Sequence, residues 1–372
     1  MGKESARLVF NILKEDGLIN RYFAIIIAIF MLSSASVYAQ TTSKYGYSED
    51  YKPNKTVNKP QNNFISHCNP ELFPQNINQA ILSVNNMISV SYPVSGLNYG
   101  EYNDGFASSI NNKYLDTDNG FTNSFEINLA STFNHLYFNE NFSYSSGNVA
   151  YSGYNQTYGG TVLNSQMIYQ PINFTESIKI YNFNWKIGYM LPIADKFVIT
   201  PYVELGRHIW KRGDNTIQYA YYSNWLAMAG VLAQYAFTSK LVGDIDFSYG
   251  TTFDAQAKEN NNASGGSYYC QNNEISTCVP VGIYEDAVTF DLGSKAMYNL
   301  SAGLDYRFYR KFHISANVNY ERFKYGQSST ITLAPTAIYN NGALEYFLHN
   351  SVTEPNSVTN EIIYGIGIGY SF

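Results

Sequence analysis

The strongest constraint on the fold is a two-residue alternation of bulky apolar side chains with small or polar ones, repeated along most of the chain. The final residues, YGIGIGYSF (364–372), show it most clearly. A period of two predicts a β-strand with one bulky face and one nearly bare face. The bulky face of this terminal segment consists of Tyr364, Ile366, Ile368, Tyr370 and Phe372.

The same alternation recurs in pairs of segments joined by very short connections. NLSAGLDYRF (299–308) and FHISANVNY (312–320) are separated by three residues, and YNFNWKIGYML (181–191) is joined to FVITPYVELG (197–206) by PIADK. Such spacing predicts tight β-hairpins. Two more are predicted within 124–144 and 225–250. In the first of these, Glu140 falls on the apolar face, which predicts a β-bulge.

The alternation predicts nine strands, and a closed barrel with both chain ends on one side needs an even number. A first strand is therefore expected in MISVSYPVSGLNYGEY (87–102), with Pro93 at the barrel seam or at a bulge. The sequence thus predicts an all-β fold, a transmembrane antiparallel up-and-down β-barrel of about ten strands, with eight or twelve as alternatives. The nine segments are 119–133, 136–151, 176–191, 197–212, 217–237, 241–254, 286–308, 312–325 and 357–372.

Long polar connections are expected at one end of this barrel only, at about 103–118, 152–175, 255–286 and 326–357. Short turns at one end and long loops at the other are typical of outer-membrane barrels. Composition agrees, because charged residues make up only 14% of the chain while aromatic residues reach 16%. The net charge of −6 supplies no basic surface, so nucleic-acid binding is not expected.

The N-terminal region predicts export. Arg21 precedes the apolar run AIIIAIFML (24–32), and small residues follow at Val37 and Ala39, as a signal peptide requires. We therefore expect a signal peptide at 1–39, a flexible periplasmic extension at 40–83 rich in Asn, Lys, Pro and Ser, and the barrel at 84–372.

Two stretches carry a resemblance to a known class. The alternation ending at Phe372 resembles the assembly signal that the outer-membrane barrel insertion machinery recognises, and YMLPIADKFVITPYVELG is similar to the strand–turn–strand of opacity-type and porin-like surface proteins. The resemblance implies a bacterial (Gram-negative) outer-membrane location. It also implies outer-membrane lipid and the barrel-assembly machinery as partners, and it implies no particular activity.

The faces opposite the bulky ones carry ionisable side chains, which a barrel would direct into its lumen. A narrow ten-stranded lumen is usually filled by side chains, so an internal network of ion pairs and hydrogen bonds is favoured over an open pore. A soluble sandwich would instead expose them to water. The residues expected to face the lumen are Glu126, Lys186, Glu204, Asp244, Asp246, Asp305, Arg307, Glu321 and Glu361.

The three cysteines predict one disulfide and no metal site. Cys270 and Cys278 lie close in sequence and suit a local disulfide in an oxidising compartment, whereas Cys68 is left without an assigned partner. No further Cys or His has zinc-ligand spacing near them, and no phosphate-binding or dinucleotide motif stands out, so neither a metal nor a cofactor is expected.

Three functions remain open at this level. The favoured one is a non-enzymatic surface protein, a surface antigen whose external loops contact a host or environmental ligand. The first alternative is a narrow small-solute channel with an acidic lumen. The second is a hydrolase at the external rim, omptin-like or of the acyl-hydrolase type. It would depend on His208, because no rim Asp–His couple and no rim Asp pair stands out.

Overall fold

The computed structural model describes residues 77–372, except Phe106, Ser108, 162–163, 214–219, 265–266, 272–273, 282–283 and 349–350. The predicted signal peptide, Cys68 and nearly all of the predicted extension lie outside the described residues. In the described part, one short helix, α1 (Gln79–Val84), precedes a series of strands. The strands are β1 (Met87–Tyr102), β2 (Tyr114–Phe133), β3 (Leu136–Thr161), β4 (Asn164–Tyr189), β5 (Leu191–Ala194), β6 (Phe197–Arg212), β7 (Ala220–Ala236), β8 (Leu241–Ser264), β9 (Ser267–Gln271), β10 (Glu274–Val281), β11 (Tyr284–Asp291), β12 (Ala296–Tyr309), β13 (Phe312–Tyr325), β14 (Ile331–Thr332), β15 (Thr336–Asn340), β16 (Ala343–Leu348), β17 (Ser351–Val352) and β18 (Ser357–Ser371).

Ten of these strands close into an antiparallel barrel. Around the ring the order is β1, β2, β3, β4, β6, β7, β8, β12, β13 and β18, and β18 pairs with β1 from Met87↔Ser371 to Glu101↔Ser357. This confirms the predicted fold class and the expected first strand. Pro93 lies in that seam strand, opposite Gly365 of β18. The ladder between β2 and β3 has no register shift at Glu140, so the predicted bulge there is wrong.

The outer surface of the barrel is apolar, as a bilayer requires of a closed sheet. Alternate residues of β18 from Ile362 to Phe372 are exposed, as are their counterparts on the other strands. Aromatic side chains collect beside the short turns, where lipid headgroups lie. The exposed members beside the turns are Tyr189, Tyr235, Phe237, Tyr306, Phe308, Tyr370 and Phe372. No helix in the described part of the chain is long and apolar enough to span a membrane.

The bare inner face of β18 has a packing reason. A Cβ on Gly369 would clash with Sδ of Met87, and one on Gly365 would stand 3.0 Å from Cα of Pro93. Residues of β1, together with Ser315 and Asn317 of β13, thus fill the space that β18 leaves free. The larger side chains inside the lumen come from other strands, as the alternation of glycine with isoleucine in β18 predicts.

The expectation of long loops is wrong in part, because each predicted connection contains β-structure. Strands β3 and β4 continue as one ladder from Leu136↔Tyr189 to Thr161↔Asn164, far past the predicted strand ends. Strand β8 continues to Ser264 and pairs there with β11. Four short strands, β9, β10, β15 and β16, extend the sheet further and are joined to β3 through β10. Polar residues do not break these hairpins, since water solvates both faces outside the membrane. In these segments the sequence therefore does not alternate between apolar and polar residues, because neither face of the hairpin meets lipid.

The lumen is filled at three levels. At the short-turn end, α1 buries Ala80, Ile81 and Leu82 against a cluster that includes Met190 and Leu232. Polar and charged side chains occupy the middle. Towards the opposite end, aromatic side chains pack across the barrel, and they include Tyr99, Trp210, Tyr222, Phe323 and Tyr325.

Candidate functional site

The charged residues expected in the lumen fall into a central network around Lys186, residues that surround this network, and two residues near the short turns. Lys186 Nζ lies 2.6 Å from Asp246 Oδ2 and 3.8 Å from Glu204 Oε2, and Tyr202 donates its hydroxyl hydrogen bond to Asp246. All of these side chains are largely buried. This layer is an internal ion-pair network of the kind that fills narrow barrels.

The other charged residues of the predicted set lie around that layer. Glu126 accepts a 2.6 Å hydrogen bond from Asn141. Glu361 accepts a hydrogen bond from Ser95. Glu321 lies opposite Glu361 on the neighbouring strand. Asp244 is half-buried, and its carboxylate lies over Gly303 of the next strand.

The remaining two members, Asp305 and Arg307, lie near the short turns. Asp305 Oδ1 is 2.5 Å from His313 Nδ1, and both side chains are buried. Arg307 takes no part in the Lys186 network, because its guanidinium donates a 2.8 Å hydrogen bond to the carbonyl of Ser239 in the β7–β8 turn.

His208 does not lie at the rim, so the site proposed for it on the basis of sequence is wrong. Its side chain is 4% exposed, its Nδ1 is 2.7 Å from the amide oxygen of Asn182, and its ring meets Phe323 edge-on. An acyl-hydrolase triad needs a carboxylate on this nitrogen to orient and stabilise the imidazole. The group beside this nitrogen is the Asn182 amide, and the neighbouring residue Arg207 is basic. Neither of them supplies the required carboxylate.

A second cluster, which the sequence analysis missed, lies at the end of the barrel away from the short turns. Arg212 of β6 points into the lumen there. Its Nη2 is 2.9 Å from Asp118 and 3.8 Å from Asp116, and its Nη1 and Nε are 3.4 Å and 3.3 Å from Glu101 and Glu176. Strands β1, β2, β4 and β6 each contribute one or two of these groups, so only the closed barrel brings them together.

Aromatic rings hold this arginine in place. The guanidinium carbon lies 4.8 Å from the ring centroid of Tyr99, 5.3 Å from that of Trp210 and 5.9 Å from that of Tyr222. Tyr99 also donates a 2.6 Å hydrogen bond to Glu101. Cation–π contacts of this kind fix the orientation of a desolvated guanidinium.

A cavity of about 490 Å³ opens beside Arg212, and we call it the acidic chamber. Its volume falls within the range of about 300–1,000 Å³ common for small-molecule sites. The chamber is lined by carboxylates, by tyrosine rings and by the segment that precedes β18. The ionisable lining residues are Glu101, Asp116, Tyr151, Tyr154, Tyr169, Glu176, Arg212, Glu259 and Glu354.

Carboxyl groups outnumber basic groups in this region. Together with Asp118, the acidic chamber gathers six carboxyl groups around one guanidinium in the described part of the chain. Asp116 Oδ1 and Asp118 Oδ1 accept no hydrogen bond from any described residue. Arg212 therefore pairs with only some of the carboxyl groups around it.

Glu354 lies in the loop between β17 and β18, outside the barrel strands, and closes one side of the acidic chamber. Tyr222 donates a 2.6 Å hydrogen bond to its Oε1. Burial raises the pKa of Glu354 well above its usual range, and the nearby Glu101 and Glu259 carboxyls raise it further. This carboxyl thus holds its proton more firmly than a free glutamic acid does.

This cluster is not evident from the sequence for an identifiable reason. Asp116 and Asp118 stand two residues apart in YLDTDNG, and both fall within the connection predicted at about 103–118. In the structure this stretch is the first part of β2, and both carboxyls point inwards. The structure thus places at this end of the lumen an aspartate pair that the sequence did not indicate. Extending the period-two register of β2 backwards from Phe121 would have placed both aspartates on the inner face.

The predicted pair of cysteines lies on the small external sheet. Cys270 of β9 and Cys278 of β10 are joined by a disulfide across the hairpin. Cys270 is buried there with Ile338 of β15. Among the described residues, no group of three or more His, Cys, Asp or Glu side chains has a geometry suited to a metal ion.

No protein-family model and no curated protein sequence matches this chain. Among solved structures it is similar to the outer membrane protease OmpT from Escherichia coli, at 10% identity and a TM-score of 0.43, over 77% of this chain and 97% of that one. It is also similar to the toluene transporter TodX from Pseudomonas putida, at 8% identity and a TM-score of 0.27, over 79% and 92%. A FadL homologue from Pseudomonas aeruginosa matches at 9% identity and a TM-score of 0.25, over 82% and 96%.

Proposed function

We propose that this protein is a closed, non-enzymatic barrel of the bacterial outer membrane that binds a cationic ligand in the acidic chamber. The observation that carries the proposal is the surplus of carboxyl groups around Arg212, in a cavity at the end of the barrel opposite the short turns. Ligands of matching chemistry carry ammonium or guanidinium groups, as basic peptides and polyamines do. The tyrosine rings of the lining add cation–π surface for such groups.

The filled lumen supports a binding role over conduction. Below the acidic chamber, the aromatic layer, the Lys186 network and α1 occupy successive levels of the lumen. A ligand that enters from outside would therefore meet a floor. The small-solute channel, the alternative from sequence, makes the opposite prediction.

Calorimetric titration of the refolded mature chain with spermidine tests the binding role. We expect saturable binding that weakens as salt is added, because salt screens the attraction between the charged ligand and the carboxylates. The variant Asp116→Asn/Asp118→Asn should bind at least tenfold more weakly. The matched control Glu274→Gln/Glu345→Gln removes two charges from the external sheet and should bind as the wild type does. Equal affinity in all three proteins would contradict the proposal.

Planar-bilayer recordings of the same refolded protein test the closed lumen. We expect no steady openings, and a stable single-channel conductance would favour the channel instead. The non-enzymatic part is tested by incubation with a fluorogenic basic peptide and with a lipid ester. Hydrolysis by the wild type that is lost in His208→Ala or in the Asp116→Asn/Asp118→Asn variant would contradict it.

A further inference from the structure

The membrane-facing surface carries a depression that the proposed function does not use. It is a groove of about 560 Å³ on the outer faces of β7, β8, β12 and β13, near the short turns. Its floor is formed by small residues at positions where other strands carry bulky ones, namely Ala233, Gly243, Ala302 and Ala316. We call it the outer groove. Its walls are formed by Tyr235, Phe237, Ile245, Leu304 and Val318.

Aromatic packing shapes the end of the outer groove next to the turns. The ring of Phe237 lies over Gly243, where a Cβ would stand 2.7 Å from Cε2 of that ring. Tyr235 meets Phe237 edge-on at a centroid distance of 5.0 Å. Glycine at position 243 therefore allows the aromatic wall to fold down against the sheet.

Basic side chains surround the turns directly beyond this wall. The β7–β8 turn carries Lys240, and the β12–β13 turn carries Arg310 and Lys311, with Arg307 at its edge. Arg307 joins the two turns: its guanidinium donates to the carbonyl of Ser239, and its backbone N–H donates to the carbonyl of Lys240 at 2.8 Å. Neither 237–241 nor 306–312 contains an Asp or a Glu.

The spacing of the two features matches the anatomy of a lipid. Lys240 precedes Gly243 by three residues, which is roughly 10 Å along a strand. Cations at that distance from an apolar groove would face the headgroup region while the groove faces the hydrocarbon. Lys311 lies 5.8 Å from the ring centroid of Tyr370, and tyrosine is typical of this interfacial level.

We propose that the outer groove and these four cations bind one anionic phospholipid of the periplasmic leaflet. An acyl chain would lie along Gly243 and Ala302, and the phosphate would be held by Lys240, Arg310 and Lys311, with Arg307 bracing the turns. Charge complementarity selects this occupant, because lipid phosphate is the anion present at this depth of the membrane. The inference is independent of the acidic chamber, which lies at the other end of the barrel.

Native mass spectrometry of the refolded mature chain, taken from nanodiscs of mixed phosphatidylglycerol and phosphatidylcholine, tests the proposal. We expect one phosphatidylglycerol to be retained per barrel in preference to phosphatidylcholine. In the variant Lys240→Gln/Arg310→Gln/Lys311→Gln, the preference for phosphatidylglycerol over phosphatidylcholine should fall at least tenfold. The variant Ala302→Trp, which fills the groove, should lose the retained lipid altogether.

Two control variants separate specific binding from ordinary contact with the bilayer. Lys258→Gln/Lys295→Gln/Lys324→Gln removes three exposed cations away from the short turns, and Ala229→Trp adds the same ring on the outer face of β7. Both should retain phosphatidylglycerol as the wild type does. Equal retention of the two lipids by the wild type, or retention unchanged by the turn variant or by Ala302→Trp, would overturn the proposal. Heat-modifiable migration of every variant establishes that its barrel is folded.

Discussion

At the scale of single residues, Lys186 has the largest predicted effect on the barrel. Among the described residues, Lys186 is the cation within ion-pair distance of Glu204 and Asp246. All three side chains lie inside the lumen. Removing one partner of a buried ion pair leaves an uncompensated charge, at a cost of about 3–5 kcal/mol. Removing both partners leaves no such charge.

We therefore predict that Lys186→Met lowers the free energy of unfolding by about 3 kcal/mol. The double variant Lys186→Met/Asp246→Asn should recover a part of that loss, because one stranded carboxylate becomes neutral. Urea unfolding in detergent, followed by tryptophan fluorescence and by heat-modifiable migration, measures both. A double variant less stable than the single one would contradict the assigned network.

At the scale of elements, the helix α1 is the part of the barrel that alternation could not predict. Its three buried residues, Ala80, Ile81 and Leu82, are consecutive and carry no period of two. The following Asn85 and Gln234 of β7 exchange side-chain hydrogen bonds of 2.8 Å and 2.9 Å. Such a reciprocal amide pair links residues 149 positions apart and leaves no trace in the local sequence.

We predict that Ile81→Asp detaches α1 from the lumen while the barrel still assembles. The side chain of Ile81 is fully buried, and an unpaired carboxylate there would be expelled to water. Limited proteolysis should then cut near residues 77–84 in the variant and spare the same residues in the wild type. The matched variant Ser83→Asp places its charge on a half-buried position of the same helix, and we expect α1 to stay docked. Equal protection of all three proteins would contradict this role for α1.

The terminal strand β18 shows what alternation can establish. Its outer face and its inner glycines were predictable because every second residue meets lipid. The residues that fill the space beside those glycines belong to β1 and β13, and the sequence of β18 does not reveal them. The acidic chamber was unpredictable for the same reason. Its carboxyl groups come from separate strands and a loop, and only barrel closure sets their distances.

We predict that deleting Phe372 lowers assembly of the barrel without lowering export. Phe372 is exposed on the outer face, and its backbone N–H donates a 3.0 Å hydrogen bond to the carbonyl of Asn86 at the seam. Its loss removes both the terminal residue of the proposed assembly signal and one seam contact. Heat-modifiable migration of membrane fractions measures assembly, and the amount of processed chain measures export. Phe372→Ala keeps the backbone contact, so a defect of equal size in both variants would assign the effect to the side chain. Normal assembly of the deletion variant would contradict the prediction.

At the scale of the whole molecule, the barrel and the part of the β3–β4 hairpin that continues beyond it have separate roles. The β3–β4 hairpin continues well past the ends of the neighbouring barrel strands, and its outer part supplies Tyr154, Tyr169 and Ile172 to the wall of the acidic chamber. The lower part of the same hairpin carries Lys186 and belongs to the filled lumen. Stability should therefore depend on the lower part, and ligand binding on the upper part.

Shortening this hairpin tests that division. Ser152 pairs with Asn173, so replacing residues 153–172 by Asn-Gly keeps the register of the remaining strands and supplies a favourable two-residue turn. We predict that the shortened protein assembles and resists urea as the full chain does, because the lumen layers stay intact. Its affinity for spermidine should fall at least tenfold, because one wall of the chamber is gone while Arg212 and its carboxylates remain. Lost assembly would show that the extension stabilises the barrel, and unchanged affinity would show that the ligand does not enter the chamber.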